Sequence, residues 1–383
     1  MHPPPPGDGS NRDDQKSEPS SPPPGPDTSQ GISDGEERTR GQSDAWSAAE
    51  NGARQPKPGM NNRWQGMSYQ LQRNETPGEG VRRICRRQVE LGLATVAGKK
   101  ETVDTPVHET RKHLKKARAA LHLVRREIGR GLFKRQDHCL RDVGRMISEI
   151  RDAEVRLQTV RQLQKLTGRR RQCYQNVEET LAHELENFVA AFAEWQSQAV
   201  PILERVRDDI DNWPVDQFDL FQVRRSIQGT YKRGRDALAA AKRAGSAESF
   251  HHFRKEAKQL WYQLRILRPV NTVVLKTLND ELGSLGDLLG RAHDLDFLAE
   301  RMRQEPDETT WQREGHELLA VIEASQSDLQ RGAGDLAERF YSERPRDFGA
   351  RVGAWLERWA VTDSPSKANT LVNHNAGTVS ERV

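Results

Sequence analysis

The sequence predicts an all-α protein, and three observations support that fold class. Apolar residues recur every three or four positions from about residue 76 onward, and no stretch alternates polar and apolar residues as a half-buried strand does. Thr76-Pro77-Gly78-Glu79 has the form of a capping box with proline at the first helical position, and Thr105-Pro106 is a similar start. A set of helical segments then occurs twice in the same order.

Both ends of the chain differ in composition from this helical region. Residues 1–75 are rich in Pro, Gly, Ser and Asp, and the stretch from Thr362 to Val383 is similarly polar. Neither segment offers enough apolar surface to offset the entropy cost of ordering it. We therefore expect a disordered tail over 1–75, a helical domain over 76–345, and a short helix followed by a disordered tail over 346–383.

The helical domain divides at Asn212-Trp213-Pro214. We predict four helices before this break and four after it, because breaker residues separate most of the periodic segments. The sequence therefore predicts a first four-helix bundle over 76–211 and a second over 216–345. The predicted helices begin at 76 and span about 105–128, 132–166 and 169–211 in the first bundle, and 216–243, 248–268, 272–303 and 309–341 in the second, with a final short helix at 347–359.

Two motifs of the first bundle recur in the second, at offsets that differ from each other by a single position. Because their order and spacing persist together, we interpret the chain as an internal duplication of a four-helix unit. The matched pairs are His108-x-x-Arg111-Lys112-x-x-Lys115 with His251-x-x-Arg254-Lys255-x-x-Lys258, and Arg151-Asp152-x-Glu154 with His293-Asp294-x-Asp296.

On a helical wheel, each copy of the histidine motif has one basic face and an apolar face opposite it. Like charges three and four residues apart repel each other, so a row of bases with Glu109 off to one side is favoured when a polyanion neutralises it. His108 also lies in the first helical turn, where backbone amides attract anions. The candidate ligands are His108, Arg111, Lys112, Lys115 and Arg118 in the first copy, and His251, Arg254, Lys255, Lys258 and Arg265 in the second, where Trp261 takes the position of Arg118.

Two plainer interpretations stay open at this level. A basic helix face is often a solvated surface paired with acids of neighbouring helices. The acids of the second motif are expected to form salt bridges that hold the bases, and Arg151 and His293 are secondary candidates for ligand contacts.

The charge of the chain favours an anionic partner. Residues 1–60 contain 6 Lys and Arg against 10 Asp and Glu, whereas the rest contains 54 against 46, so the positive charge lies in the helical region. The cysteines Cys85, Cys139 and Cys173 form no CxxC pair, which favours a reducing compartment. With no apolar run of about 18 residues and no signal peptide after Met1, we expect a cytoplasmic protein without a membrane span, cofactor or metal.

These segments resemble the CHAD family, the conserved histidine α-helical domains. The resemblance covers roughly residues 78–345 and rests on both basic motifs, on Tyr231-Lys232-Arg233-Gly234-Arg235, and on the segment from Leu285 to Asp296. It implies two four-helix bundles related by a pseudo-twofold axis, with basic helices lining a central groove. It also implies binding of inorganic polyphosphate, association with polyphosphate granules, and further contacts from Lys232 and Arg235.

Together, the residues and the resemblance predict a polyphosphate-binding protein that is not an enzyme. Its affinity should depend on counterion release and on arginine forks, with a pH term from histidines of ordinary pKa, about 6.5. One alternative is a nucleic-acid-binding helical protein, although aromatic platforms are scarce on the basic faces. Another is a metal-dependent phosphohydrolase using His293-Asp294, which the duplication disfavours because the counterpart of His293 is Arg151.

Overall fold

The computed structural model describes residues 69–98, 106–166, 174–191, 194–304 and 312–361. These residues form eleven α-helices and no strand, which confirms the predicted all-α class. A 3-10 turn, Arg268–Val270, follows the eighth helix. The helices are α1 (Pro77–Val96), α2 (Pro106–Leu123), α3 (Gly129–Met146), α4 (Ser148–Leu166), α5 (Gln175–Ala191), α6 (Trp195–Ile210), α7 (Leu220–Ala244), α8 (Ala247–Ile266), α9 (Thr272–Arg303), α10 (Gln312–Phe340) and α11 (Pro345–Val361).

Side-chain caps begin several of these helices. The Thr76 hydroxyl accepts a hydrogen bond from the Glu79 N–H, and the Glu79 carboxylate accepts one from the Thr76 N–H, so the predicted capping box is present. Asp219 and Gln222 form the same box at the start of α7. The helix boundaries that the sequence marks most clearly are therefore set locally.

Other predicted boundaries differ from the structure. The predicted helix at 132–166 is divided at Ile147 into α3 and α4, and the one at 169–211 is divided into α5 and α6. In the second half, α9 runs without a break through the region that matches α3 and α4. Helix α2 ends at Leu123 rather than near 128, and Gly129, with a φ of 77°, begins α3 in a conformation that favours glycine.

The same helix pairs occur in both halves of the chain. Helix α1 packs on α2 and α6, as α7 packs on α8 and α11, and α4 packs on α5 as α9 packs on α10. The halves meet where α2 packs on α8 and α4 packs on α9. This repeated pairing is consistent with a duplicated unit, and both the duplication and its pseudo-twofold axis stay predictions.

One apolar core spans both halves. It contains Ile84 and Leu121 from the first half and Phe253 and Leu264 from the second, each at most 1% exposed. A second cluster joins residues of α4 and α5 to residues of α9 and α10. Each of the predicted bundles, 76–211 and 216–345, therefore has apolar surface that the other one covers.

The folded region also extends beyond the predicted limits of 76 and 345. Tyr69 and Leu71, which we expected in the disordered tail, are buried, and the Leu71 N–H donates to the Ile266 carbonyl at 3.0 Å. Helix α11 packs on α7 and adds three residues to the core, Phe348, Val352 and Leu356. The remainder of the predicted tails, 1–68 and 362–383, lies outside the described residues.

Candidate anion-binding site

The basic helices α2 and α8 lie against each other where the two halves meet. Ala119 and Ala120 of α2 are fully buried, and their small side chains allow close packing. The side-chain amides of Gln259 and Gln263 on α8 both donate to the Ala119 carbonyl, at 3.4 and 3.3 Å. This contact brings the two copies of the basic motif into one site.

Arg111 and Arg254, the equivalent arginines of the two motifs, are near enough to repel each other. Burial lowers the pKa of Arg111, Asp152 acts against this, and Arg151 and Arg254 lower it further. Arg111 Nη1 donates to the Gly144 carbonyl at 2.9 Å, while Arg254 Nε is buried without a hydrogen-bond partner among the described residues. An anion that accepts hydrogen bonds from both guanidiniums would reduce their repulsion and would provide an acceptor for Arg254.

His251 and His293 form a ring pair beside these arginines. Their ring centres are 4.1 Å apart and their planes are inclined by 32°. Burial, followed by Lys255 and Arg254, lowers the pKa of His251 to about 4. Burial, His251, Arg254, Lys255 and Lys115 lower the pKa of His293 to about 3. The prediction that such histidines titrate at their ordinary pKa is therefore wrong for this pair, because burial, and then the neighbouring cations, disfavour the charged form of each ring.

Lys255 of the second half lies near arginines of the first. Burial lowers its pKa, and Arg141 and Arg118 lower it further. Asp137 of α3 holds both arginines, since it accepts from Arg118 Nε at 2.8 Å and lies 3.9 Å from Arg141 Nη1. Burial acts to raise the pKa of Asp137, but hydrogen bonds with His122 and Arg118 keep it well below its usual range.

The corresponding end of the second half is built around Trp261. Its indole N–H donates to the Asn279 carbonyl at 3.0 Å. Lys258 Nζ and the Arg265 guanidinium each lie 4.7 Å from the centre of the indole, and Arg265 also lies 6.0 Å from the Tyr69 ring. Cation–π contacts thus hold these two bases, as Asp137 holds the arginines of the first half.

Glycines of α9 make room for the bases of α8. A Cβ at Gly286 would lie 2.8 Å from Lys258 Cε, and a Cβ at Gly290 would lie 3.4 Å from Arg254 Nη2. Lys258 Nζ lies 3.9 Å from Asp287 Oδ1. The glycines in the segment from Leu285 to Asp296 therefore let α9 approach the basic face of α8 closely.

The remaining bases of the first motif are partly neutralised within α2. Lys112 Nζ lies 3.0 Å from Glu109 Oε1. Glu109, which the helical wheel places to one side of the basic face, therefore contacts a base of that face. Burial acts to raise the pKa of Glu109, but Lys112, His113 and His108 together lower it. Lys115 is exposed and acts electrostatically on His293 across the boundary between the halves.

The acids of the second motif have different partners. Glu154 pairs with Arg151 at 3.3 Å, as expected of a supporting salt bridge. Burial raises the pKa of Asp152, against the attraction of Arg111. Asp296 accepts from Gln326 Nε2 at 2.6 Å. Arg151 and His293, secondary candidates from sequence, act directly on Arg111 and His251 and so belong to the centre of the site.

Lys232 and Arg235 are not brought to this site. Lys232 Nζ lies 2.6 Å from Asp236 on its own helix, and Arg235 Nη1 donates to the Glu343 carbonyl at 2.9 Å. These partners belong to α7 and to the turn before α11, not to the contact between α2 and α8. The inclusion of the two bases rested on the resemblance alone.

Arg141 was missed by sequence reasoning. Its counterpart at the offset of the second motif is Gly283, so a search for bases retained in both copies passes over it. Its position four residues after Asp137, one helical turn away, was the available signal.

In the parts of the chain that the structure describes, no group of three or more His, Cys, Asp or Glu is positioned to hold a metal ion. No helix there is both long and apolar enough to cross a bilayer.

Comparison with known proteins gives a family match and two fold matches. A family model for the CHAD domain matches residues 85–273 and 270–380. The chain is similar in fold to PptA from Streptomyces chartreusis, with 15% identity, a TM-score of 0.52, and coverage of 70% of this chain and 100% of that one. It is also similar to the CHAD domain from the plant Ricinus communis, with 17% identity, a TM-score of 0.53, and coverage of 72% and 95%. No curated protein matches the chain.

Proposed function

Since this chain belongs to the CHAD domain family, we propose that it binds inorganic polyphosphate between α2, α8 and the helices packed on them. The protein acts as a binder rather than an enzyme, and its localisation follows that of polyphosphate, including granules of that polymer. Each ligand phosphate brings about one negative charge, so a chain of phosphates can contact bases of both halves at once.

The observation that supports this proposal most directly is the convergence of equivalent cations from the two halves. Arg111 and Arg254 repel each other, and Lys255 lies near Arg118 and Arg141. Such clustering disfavours the folded state unless another interaction offsets it. Asp137 and Asp152 offset part of this repulsion, and a bound polyanion would offset more of it.

The chemistry of the bases suits phosphate oxygens. The guanidiniums of Arg111 and Arg254 present planar forks that match two oxygens, and Lys115 supplies a mobile point charge. Asp137 and Trp261 hold further bases in position, so less side-chain freedom is lost on binding. Binding should therefore be strong at low salt and weaken steeply as salt competes.

Single-stranded nucleic acid is a less suitable ligand for this site. Stacking of bases requires exposed aromatic faces, yet Trp261, Tyr262 and Phe133 are all buried. The aromatic rings beside the bases instead pack against the protein's own cations. We therefore expect polyphosphate to be preferred over RNA of equal charge.

The test is a binding titration of long-chain polyphosphate with the wild type and with Arg111→Gln/Lys115→Gln/Arg254→Gln/Lys258→Gln. We expect the variant to lose affinity by about a hundredfold at low salt, and its dependence on salt to become shallower. Unlabelled polyphosphate should displace the bound ligand at lower concentration than single-stranded RNA of the same charge.

A control variant removes four cations whose ion-pair partners lie outside the site described above: Arg161→Gln/Arg207→Gln/Lys276→Gln/Arg331→Gln. Thermal unfolding verifies that both variants remain folded. Equal losses of affinity in the two variants would show that binding depends only on the net charge of the protein. Equal displacement by RNA would refute the preference for polyphosphate.

A further inference from the structure

The turn between α2 and α3, together with the first turns of α3, carries four exposed bases next to the site. Arg125 and Arg126 follow the end of α2, and Arg130 and Lys134 lie in the first turns of α3. Within residues 124–136 the single acid is Glu127. Among the described residues these four bases make no ion pair, unlike exposed cations such as Arg161 and Arg331, which pair with nearby acids.

Side-chain contacts connect this turn to the site. Arg118 and His122 both contact Asp137, at 2.8 and 3.4 Å. The His122 ring lies edge-on to Phe133, with 4.9 Å between ring centres, and the Arg125 guanidinium lies 4.9 Å from the centre of the same Phe133 ring. These contacts therefore lead from Arg118 on α2, by way of His122 and Phe133, to Arg125 in the turn.

The equivalent region of the second half has no such patch. The segment after α8 is the 3-10 turn Arg268–Val270, which contains one base and a proline. Lys276, the counterpart of Lys134, pairs at 2.6 Å with Asp280 four residues on, whereas the residue four after Lys134 is His138. The extra bases are thus confined to the end of the site that Arg118 occupies.

We propose that Arg125, Arg126, Arg130 and Lys134, here called the turn patch, bind the part of a long polyphosphate chain that extends beyond the α2–α8 site. This inference rests on the proposed function. A chain already held by the site presents its next phosphates to the turn patch at high effective concentration, so each added contact costs little entropy. The turn patch thereby gives a preference for long chains and directs them outward past Arg118 rather than past Trp261.

The experiment compares tripolyphosphate with long-chain polyphosphate in binding titrations at two salt concentrations. In Arg125→Gln/Arg126→Gln/Arg130→Gln/Lys134→Gln we expect the affinity for the long chain to fall about tenfold and its salt dependence to become shallower, while tripolyphosphate binding changes by less than about twofold. The four-cation control variant described above should bind both ligands like the wild type, within about twofold.

A second variant, Arg126→Gln/Arg130→Gln/Lys134→Gln, keeps Arg125 on Phe133 and should show a smaller loss of the same kind. The turn-patch proposal is overturned if long-chain affinity is unchanged, if tripolyphosphate affinity falls equally, or if the control variant loses as much. Absence of binding to either ligand by the wild type would instead refute the proposed function, and the turn patch with it.

Discussion

The two ends of the candidate site hold their bases in different ways, although they occupy equivalent positions in the two halves. In the first half, Arg118 and Arg141 are held by the carboxylate of Asp137. In the second half, Lys258 and Arg265 lie over the indole of Trp261. Ion pairs position the bases at one end, and cation–π contacts position them at the other.

These differences occur together at three matched positions. At the offsets of the two motifs, Arg118, Asp137 and Arg141 correspond to Trp261, Asn279 and Gly283. An arginine in place of Trp261 would need an acid that Asn279 does not supply. An indole fits there because Gly283 has no side chain, with Trp261 Nε1 at 3.6 Å from where its Cβ would lie. Each half therefore holds its bases through a different set of mutually consistent residues.

The largest expected contrast between the ends is in stability. Asp137→Ala should lower the free energy of unfolding by about 2 kcal/mol, because it leaves Arg118 and Arg141 without their acid. Asn279→Ala should cost about 0.5 kcal/mol, since Trp261 uses the backbone carbonyl and the side chain loses only its bond to the Leu275 carbonyl. Denaturant unfolding at neutral pH measures both.

The pH dependence of that contrast follows from the lowered pKa of Asp137. A carboxylate whose folded-state pKa is depressed contributes stability above its unfolded pKa of about 3.9, and this contribution is lost as pH falls toward the folded value. The difference between wild type and Asp137→Ala should therefore shrink in acid. Equal costs for the two alanine variants would show that the ends are held alike.

A double-mutant cycle tests whether the second end of the site can hold an arginine by an ion pair, as the first end does. Trp261→Arg alone should destabilise the fold, because it removes a buried indole and adds a charge without a partner. Adding Asn279→Asp should recover about 1–2 kcal/mol of coupling free energy. Trp261→Arg with Thr277→Asp, which adds an acid at an exposed position of the same helix, is the matched control, and recovery there of the same size would contradict specific pairing.

The smallest expected effect concerns the histidine pair, which only the second half possesses. The pKa values of His251 and His293 are about 4 and about 3, so both are neutral at pH 7, and a bound polyanion raises them. Binding then takes up protons, so polyphosphate affinity should increase about fivefold as pH falls from 7.5 to 5.5. In the free protein the lowered pKa values of His251 and His293 mean that the folded state loses stability as pH falls below about 6.5, because the unfolded chain takes up protons first.

His293→Arg, which copies Arg151 of the first half, provides the comparison for this pH effect. Its fixed charge should make the affinity less dependent on pH, as followed by titrations in one buffer system at constant salt. Exposed His183, which is 3.9 Å from Glu186, gives the control His183→Gln. An unchanged pH profile in His293→Arg would exclude the pair as the source of the effect.

Much of the fold could be predicted because its signals are local. The capping box at Thr76 and the opposed basic and apolar faces of α2 and α8 depend on residues within a few turns of each other. The break at Ile147 carries no such signal, since α9 continues through the matching Leu289 without interruption. Tyr69 and Leu71 differ from the predicted disordered tail because their burial depends on α2 and α8, which are distant in sequence.

The sequence by itself determined that this protein has two related basic helices, with His108 and His251 in the same place in each copy, because helical periodicity and spacing are properties of the chain. Tertiary structure alone decided which bases meet. Packing of α2 on α8 and α4 on α9 brings Arg111 to Arg254 and Lys255 to Arg118, adds Arg141, and leaves Lys232 and Arg235 elsewhere. The reason is physical: repulsion, burial and the resulting pKa shifts depend on distances between helices, which no spacing within one helix encodes.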